Sequence, residues 1–385
     1  MTSPPLGAAL VLARRHAVRL PAVEVALADA PGRVLADDVV ARADLPAANA
    51  SAMDGWAVRA ADLPGVLRVV GESRAGAPWP ETLAPGEAVR ISTGALVPGG
   101  ADTILRAEEG TDDGHRLRTD AAPGIGLDIR FAAEDLRRGH PVLRAGTVIG
   151  AHHIGALAAS GHGAVPCLRR PTARVVTTGS ELVPPGGPTG RSTIFDSNGP
   201  GLTAQLRAAG ADVTDAITVD DDPRAVRDAV AGAITGCDLL LVAGGLSVGR
   251  HDHVRAALEY VGTQPVFTRL AMRPGRPTTL GRVGPCRVLA VPGNPAAAAV
   301  GTHLLGRALL RTDVPWTRMP LGTALPSARR LDEVVRCRDE GGHAVPLPDQ
   351  GSGSVSSVAG ADLLAWLPWG RTAFPAGASI WVSRL

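Results

Sequence analysis

The 385-residue chain contains no lysine: all 39 of its Lys/Arg cations are arginine. Any anion site it builds must therefore use planar, forked guanidinium groups rather than compact ammonium points. A formal net charge of +2 is too small to mark a nucleic-acid or membrane surface, so neither partner is expected, while a local basic pocket stays compatible with it. Cys167, Cys237, Cys286 and Cys337 stand singly with no C-x-x-C pair. That spacing excludes a zinc knuckle and a disulfide framework, and the four read as small buried apolar residues. No uninterrupted apolar run approaches the roughly 20 residues of a membrane span. The opening MTSPPLGAALVLARRH places its apolar stretch before its arginines, the reverse of a secretory signal. A cytoplasmic location is expected. No segment repeats with a fixed period.

What is present is the make-up of a folded chain, with 45% hydrophobic and 20% charged residues and length for about two to four domains. From Pro171 onward, short apolar runs alternate with segments of helical period, which predicts βαβ units around a doubly wound, mainly parallel sheet. TARVVTT (172–178) reads as a strand entering the turn GSEL. A helix follows Asp196 and Ser197 with Leu202, Leu206 and Ala209 on one face, and VTDAITV returns as a strand. The run DDDPRAVRDAVAGAI announces a helix start: an aspartate cap, Pro223 in the first turn, and Val226, Val230 and Ile234 at helical spacing. CDLLLVAGG and RVLAVPGNP are further strands, and AAAAVGTHLLGRALL is an amphipathic helix closing the domain near residue 312. DVPWTRMPLG reads as a linker, and EVVRCR, AVPLP and ASIWVSRL predict a small β domain over 313–385. The first 170 residues are less regular, with a helix over 7–20 and many short β-like runs over 65–150.

The chemistry concentrates at predicted strand ends, where open α/β sheets place ligands. In VAGGLSVGRHDHV (242–254), Gly244, Gly245, Ser247 and Gly249 let backbone amides converge on an anion, and Asp252 offers a carboxylate to a divalent metal. The flanking His251 and His253 lack the third ligand that zinc requires, so a helix-start role is favoured. In LAMRPGRPTTLG, Arg273 and Arg276 bracket a Pro-Gly turn and project two guanidiniums toward an oxyanion; alone, such a turn reads equally well as solvated surface. VTTGSEL sets Glu181 at a similar edge. Asp220, Asp221 and Asp222 exceed what one helix cap needs, leaving a carboxylate for Mg²⁺. NASAMDGWAV isolates Asp54, and RISTGA holds Thr93 in a Thr-Gly turn.

Taken in order, NASAMDGWAV, RISTGA with VPGGADTI, AAEDLRRG, VVTTGSELV, FDSN, DDDPRAV, AGGLSVGRHD, RPGRP, VPGNP and QGSGSVSS resemble the molybdopterin molybdenumtransferases, the MoeA and gephyrin E-domain family, over nearly the whole chain. The resemblance implies an elongated α/β multidomain subunit: a split N-terminal region (1–48 and 141–170) carrying an inserted β-rich domain (49–140), a pterin-binding domain (171–312) and a C-terminal β domain (313–385). It implies a homodimer in which the Asp54 loop reaches the partner subunit's cleft. It further implies molybdate and adenylylated molybdopterin as substrates, Mg²⁺ as cofactor and AMP as a product. A molybdopterin adenylyltransferase and recipient molybdoenzymes are the implied partners. Position by position, Asp54, Thr93, Asp135, Glu181, Asp221 and Asp252 match the family's catalytic positions, with Asp221 and Asp252 on the metal, and Arg336 and Ser352 match the C-terminal domain's cofactor-binding arginine and its Q-G-S serine.

Two departures stand out. The family's K-P-G-K is here Arg273-Pro-Gly-Arg276, and its serine after N-P is Ala297. Charge is kept but shape is not, and one donor is lost. Two other readings therefore stay open: a non-catalytic paralogue that binds molybdopterin as a carrier or scaffold, and a molybdopterin adenylyltransferase, which would not need the NASAMDG segment or the C-terminal β domain.

Overall fold

The computed structural model describes residues 3–18, 20–246, 253–311, 314–326, 330–371 and 373–385, which divide into two compact units, Met1–Leu20 with Arg169–Leu385, and Pro21–Leu168. In chain order the first unit has α1 (Leu6–Arg15), β1 (Thr172–Thr178), α2 (Asn198–Ala208), β2 (Asp212–Val219), α3 (Pro223–Ile234), β3 (Leu239–Ala243) and α4 (His253–Tyr260). β4 (Gln264–Phe267), β5 (Met272–Arg273), β6 (Thr279–Val283), β7 (Cys286–Val291) and α5 (Pro295–Gly301) follow. The central sheet runs β2-β1-β3-β7-β6-β4. Its first four strands are parallel, and β6 and β4 are antiparallel additions.

Strand β3 is buried at every position, because alternate side chains leave opposite faces of a sheet covered on both sides. Leu239, Leu241 and Ala243 join α1 (Leu6, Ala9, Ala13) and α2 (Leu202, Leu206) in one core. Leu240 and Val242 join α3 (Val226, Val230) and α4 (Val254, Leu258) in the other. Residues 1–20 thus belong with the sheet rather than with 21–48, as the sequence reading grouped them, because α1 inserts its apolar stripe into the first core.

The amphipathic helix read over 296–310 is interrupted: α5 gives way to a wide π turn at Thr302–Gly306 before Arg307–Leu309 resumes the α form. That turn carries the buried His303, whose Nε2 lies 3.1 Å from the Ser383 Oγ of the C-terminal sheet. This sheet uses β8 (Trp316–Pro320), β9 (Asp332–Glu340), β10 (His343–Pro346), β11 (Leu363–Leu367) and β12 (Ser379–Arg384). Its order is β5-β9-β11-β12-β8 with β10 on β9. The edge strand β5 comes from the α/β domain and pairs in parallel with β9, Met272 opposite Asp332 and Arg273 opposite Glu333. Asp332 is buried, and its Oδ2 accepts from Leu6 N (2.7 Å) and its Oδ1 from Trp369 N (2.9 Å).

In the second unit, Ala22–Ala26 pairs with Ala164–Leu168 and Val39–Val40 with Pro141–Leu143, around a core that includes Leu35, Leu157 and Cys167. Between them in sequence, a six-stranded sheet runs Thr103–Arg106, Gly55–Val58, Glu87–Ile91, Gly65–Ser73, Arg116–Thr119, Thr111–Asp112 in spatial order.

Burial, assisted by the Arg307 charge, pulls the His303 pKa from 6.5 to about 4. Between those values the unfolded chain binds the extra proton, so this contribution is complete above pH 6.5 and is lost as pH falls toward 4. It amounts to roughly 3 kcal/mol at most. Urea unfolding should show the stability gap between wild type and His303→Gln closing by about 2 kcal/mol or more from pH 7 to pH 4.5; a gap independent of pH would contradict the assignment.

Candidate functional site

At the carboxyl ends of β1, β3 and β7, where a doubly wound sheet opens a crevice, lies a cavity of about 500 Å³ lined by residues that include Thr178, Glu181, Phe195, Asp196, Asn198 and Asn294. The glycine pair after β3 shapes its floor. Gly244 has φ +106°, and a Cβ there would sit 2.6 Å from the Thr178 carbonyl oxygen; Gly245 has φ +59°, and its Cβ would sit 2.7 Å from Val254 Cγ2. Only glycine fits either backbone position. Among the described residues the buried Thr178 Oγ1 has no hydrogen-bond partner. Ser247, Gly249, His251 and Asp252, singled out from the sequence, lie outside the described residues.

The acidic run resolves into separate tasks. Asp222 caps α3, its Oδ1 accepting from Arg224 N (3.0 Å) and Ala225 N (2.9 Å). Asp221 is exposed, and its N–H donates to Ser180 Oγ at 3.0 Å, tying the loop after β2 to the loop that carries Glu181 after β1. Both carboxylates therefore sit on neighbouring strand ends. Sequence reasoning missed Asp196 and Asn198 as site residues. Asp196 Oδ2 accepts from Thr177 Oγ1 (2.9 Å) and Thr218 Oγ1 (3.0 Å), Oδ1 accepts from Gly199 N (3.0 Å), and Asn198 Nδ2 donates to Gly293 O (2.7 Å). The signal lay in FDSN and VPGNP, two polar turns at the same sheet edge.

A second cavity, of about 300 Å³, is lined by residues that include Arg273, Arg276, Asn294, Ala297, Gln350 and Ser352, and it shares Pro277, Pro292 and Asn294 with the first. The Pro-Gly turn is rigid: Gly275 O accepts from Thr278 N (3.0 Å) and Thr278 Oγ1 (2.7 Å), and Arg276 O accepts from Leu270 N (2.8 Å). Among the described residues neither the Arg273 nor the Arg276 guanidinium donates a hydrogen bond; Arg273 Nη1 lies 3.9 Å from Glu333 Oε1. The opposite wall comes from the C-terminal domain. Ser352 O accepts from Ala296 N (3.0 Å) and Ala297 N (3.2 Å) and so caps α5, while Ser352 Oγ accepts from Asn294 Nδ2 (2.9 Å). Arg336 stands behind that loop, 1% exposed. Its Nε donates to Ser357 Oγ (2.7 Å) and Nη2 to Gly351 O (3.0 Å), while Nη1 has no partner among the described residues. Burial lowers its pKa below the usual arginine value. Its evident work is to shape the loop that presents Ser352.

Asp54, Thr93 and Asp135 belong to the other compact unit. Asp54 Oδ1 accepts from Thr93 N (2.6 Å) and Thr93 Oγ1 (3.0 Å), and these bonds, the backbone one foremost, hold its pKa below the carboxylate norm. Asp135 is exposed, with Arg130 Nη2 4.0 Å away. No group of three or more His, Cys, Asp or Glu that could hold a metal occurs among the described residues. No helix among them is long and apolar enough to cross a membrane.

The fold is that of a doubly wound α/β protein with two adjoining cavities at its strand ends, one rimmed by carboxylates and one lined by arginines. Known proteins specify it further. Residues 5–161 match the MoeA N-terminal region (domain I and II), 174–312 a probable molybdopterin binding domain, and 318–385 the MoeA C-terminal region (domain IV). The molybdopterin molybdenumtransferase of Synechococcus elongatus is 34% identical over 401 residues, covering 98% of this chain and 99% of its own. That of Haemophilus influenzae is 32% identical over 339 residues, covering 86% and 83%. A solved MoeA structure from Pyrococcus horikoshii superposes with a TM-score of 0.86 at 27% identity over 100% of this chain and 99% of its own. The chain belongs to the molybdopterin molybdenumtransferase family of transferases. With the N- and C-terminal MoeA regions both matched, the adenylyltransferase reading is not favoured.

Gly244→Ala combines a positive φ with a 2.6 Å clash against the Thr178 carbonyl. Urea unfolding should show a loss of about 2 kcal/mol or more; a loss under about 0.5 kcal/mol would show that the turn tolerates a side chain.

Proposed function

We propose that this protein inserts molybdate into adenylylated molybdopterin, with magnesium-dependent release of AMP, to form molybdenum cofactor. One observation carries the reading: a carboxylate-rimmed cavity of about 500 Å³ abuts an arginine-lined cavity of about 300 Å³ through Pro277, Pro292 and Asn294. An organic ligand in the first would place its reacting end against an oxyanion in the second, which is what the transfer requires.

Glu181 lines the cavity that takes the organic ligand, and the Gly244–Gly245 turn lets backbone approach its phosphates. Arg273 and Arg276 hold molybdate with forked donors, and the Asn294–Ser352 pair closes the wall behind it. Asp222 takes the helix cap, and among the described residues the exposed Asp221 carboxylate accepts no hydrogen bond, leaving a hard oxygen donor of the kind magnesium takes. Asp221 would hold magnesium together with Asp252. When bound, magnesium neutralises the phosphoanhydride and makes AMP a better leaving group.

The proposal includes a homodimer in which the partner's cleft receives the Asp54–Thr93 turn. Its support is the exposed apolar surface beside that turn, Met53 and Leu96, on a unit whose Asp54 is oriented by Thr93 yet open to solvent. A cytoplasmic site of action and exchange with an adenylyltransferase and recipient molybdoenzymes complete the reading.

Purified protein given adenylylated molybdopterin, molybdate and Mg²⁺ should release AMP, and Asp221→Ala should slow release by at least roughly 100-fold while binding the nucleotide ligand within a few-fold of wild type. Binding without AMP release in the wild type would favour the carrier reading instead, and equal rates for the two proteins would remove Asp221 from the site.

A further inference from the structure

We infer that Glu333 is a positioning residue for oxyanion binding: it attracts the Arg273 guanidinium by one edge so that its N–H donors face the arginine-lined cavity. This rests on the molybdate-transfer reading and adds a residue to it. Arg273 and Glu333 are register partners on the β5–β9 ladder, so their side chains leave the same face of the sheet. Arg273 Nη1 and Glu333 Oε1 lie 3.9 Å apart, with 70% of the Arg273 side chain exposed and 18% of that of Glu333.

An ion pair with so exposed an arginine contributes little to stability, so its consequence is orientation. The preceding residue makes that orientation firm. Asp332 is fixed on both oxygens, by Leu6 N and Trp369 N, and Glu333 inherits the anchored backbone. At 3.9 Å the contact is electrostatic and lies beyond hydrogen-bond reach. It therefore restricts the guanidinium without consuming any of its five N–H donors. A lysine at position 273 would gain less, since an ammonium presents the same charge whichever way it turns. The carboxylate is thus matched to the arginine that this lysine-free chain uses.

Competition is the opposing possibility, with Glu333 and the anion contending for one cation. The two ideas predict opposite signs. If Glu333 aims Arg273, Glu333→Gln raises KM for molybdate about threefold with kcat unchanged, because an exposed, rotamer-rich side chain must then be ordered on binding. Arg273→Ala raises KM at least as far, and Glu333→Gln adds nothing further in the Arg273→Ala background. A KM that stays unchanged or falls in Glu333→Gln overturns the inference, as does a loss confined to kcat or an effect undiminished without Arg273. Arg273→Ala with an unchanged KM also overturns it, however well Glu333→Gln folds. Should the wild type release no AMP, the transfer reading fails by itself. The same cycle is then read by calorimetric titration of each variant with tungstate, where loss of affinity in Glu333→Gln sustains the role of Glu333 and unchanged or tighter binding refutes it.

Discussion

The candidate site depends on a two-residue ladder, Met272 and Arg273 of β5 against Asp332 and Glu333 of β9. So short a pairing is marginal by itself. It holds because Asp332, buried between the two domains, accepts a backbone N–H from the start of α1 and another from Trp369. A buried carboxylate satisfied on both oxygens resists displacement, since moving it would leave two donors unpaired. The ladder fixes where the arginine turn begins, seats the C-terminal sheet against the α/β domain, and sets the gap that becomes the smaller cavity.

The same junction is closed from the other side by Ser352, whose carbonyl takes the first free amides of α5. In many α/β proteins such amides wait for an anion; here a neighbouring loop occupies them, and Arg336 braces that loop from behind. The cations lining the smaller cavity are the side chains of Arg273 and Arg276. Ala297, beside them, supplies a methyl group and no donor. In the proposed transfer reaction the planar guanidiniums carry both charge and direction, so with no hydroxyl at position 297 more of the recognition would fall on the orientation of the arginines.

Much of the architecture was legible in the residues. The fully apolar β3 announced a sheet covered on both faces, and Asp222 with Pro223 announced the start of α3. The glycines after β3 announced a turn at a strand end, and Gly244 and Gly245 stand there at positive φ. Three features were not legible, for one reason. The roles of Asp332, of the Ser352 carbonyl and of His303 in its π turn arise from contacts between segments far apart in sequence, and no local spacing encodes them. The grouping of residues 1–20 escaped for the same reason, because α1 is an ordinary amphipathic helix until its partner surface is known. At the site, the run of three aspartates stated that one carboxylate was surplus; only the bonds of Asp222 showed which residue serves as the cap. Asp54 and Thr93 stood out as residues of two separate turns, and their hydrogen bonds join those turns.

The central claim is that the cavity between the arginine turn and the Ser352 loop is the oxyanion pocket. Crystals of the protein soaked in tungstate, with diffraction recorded just above a tungsten absorption edge, test it directly. One strong anomalous peak is expected about 4 Å from guanidinium nitrogens of both Arg273 and Arg276, the separation left when tungstate oxygens accept from them. Peaks confined to the larger cavity, or none above the noise at saturating tungstate, would contradict it.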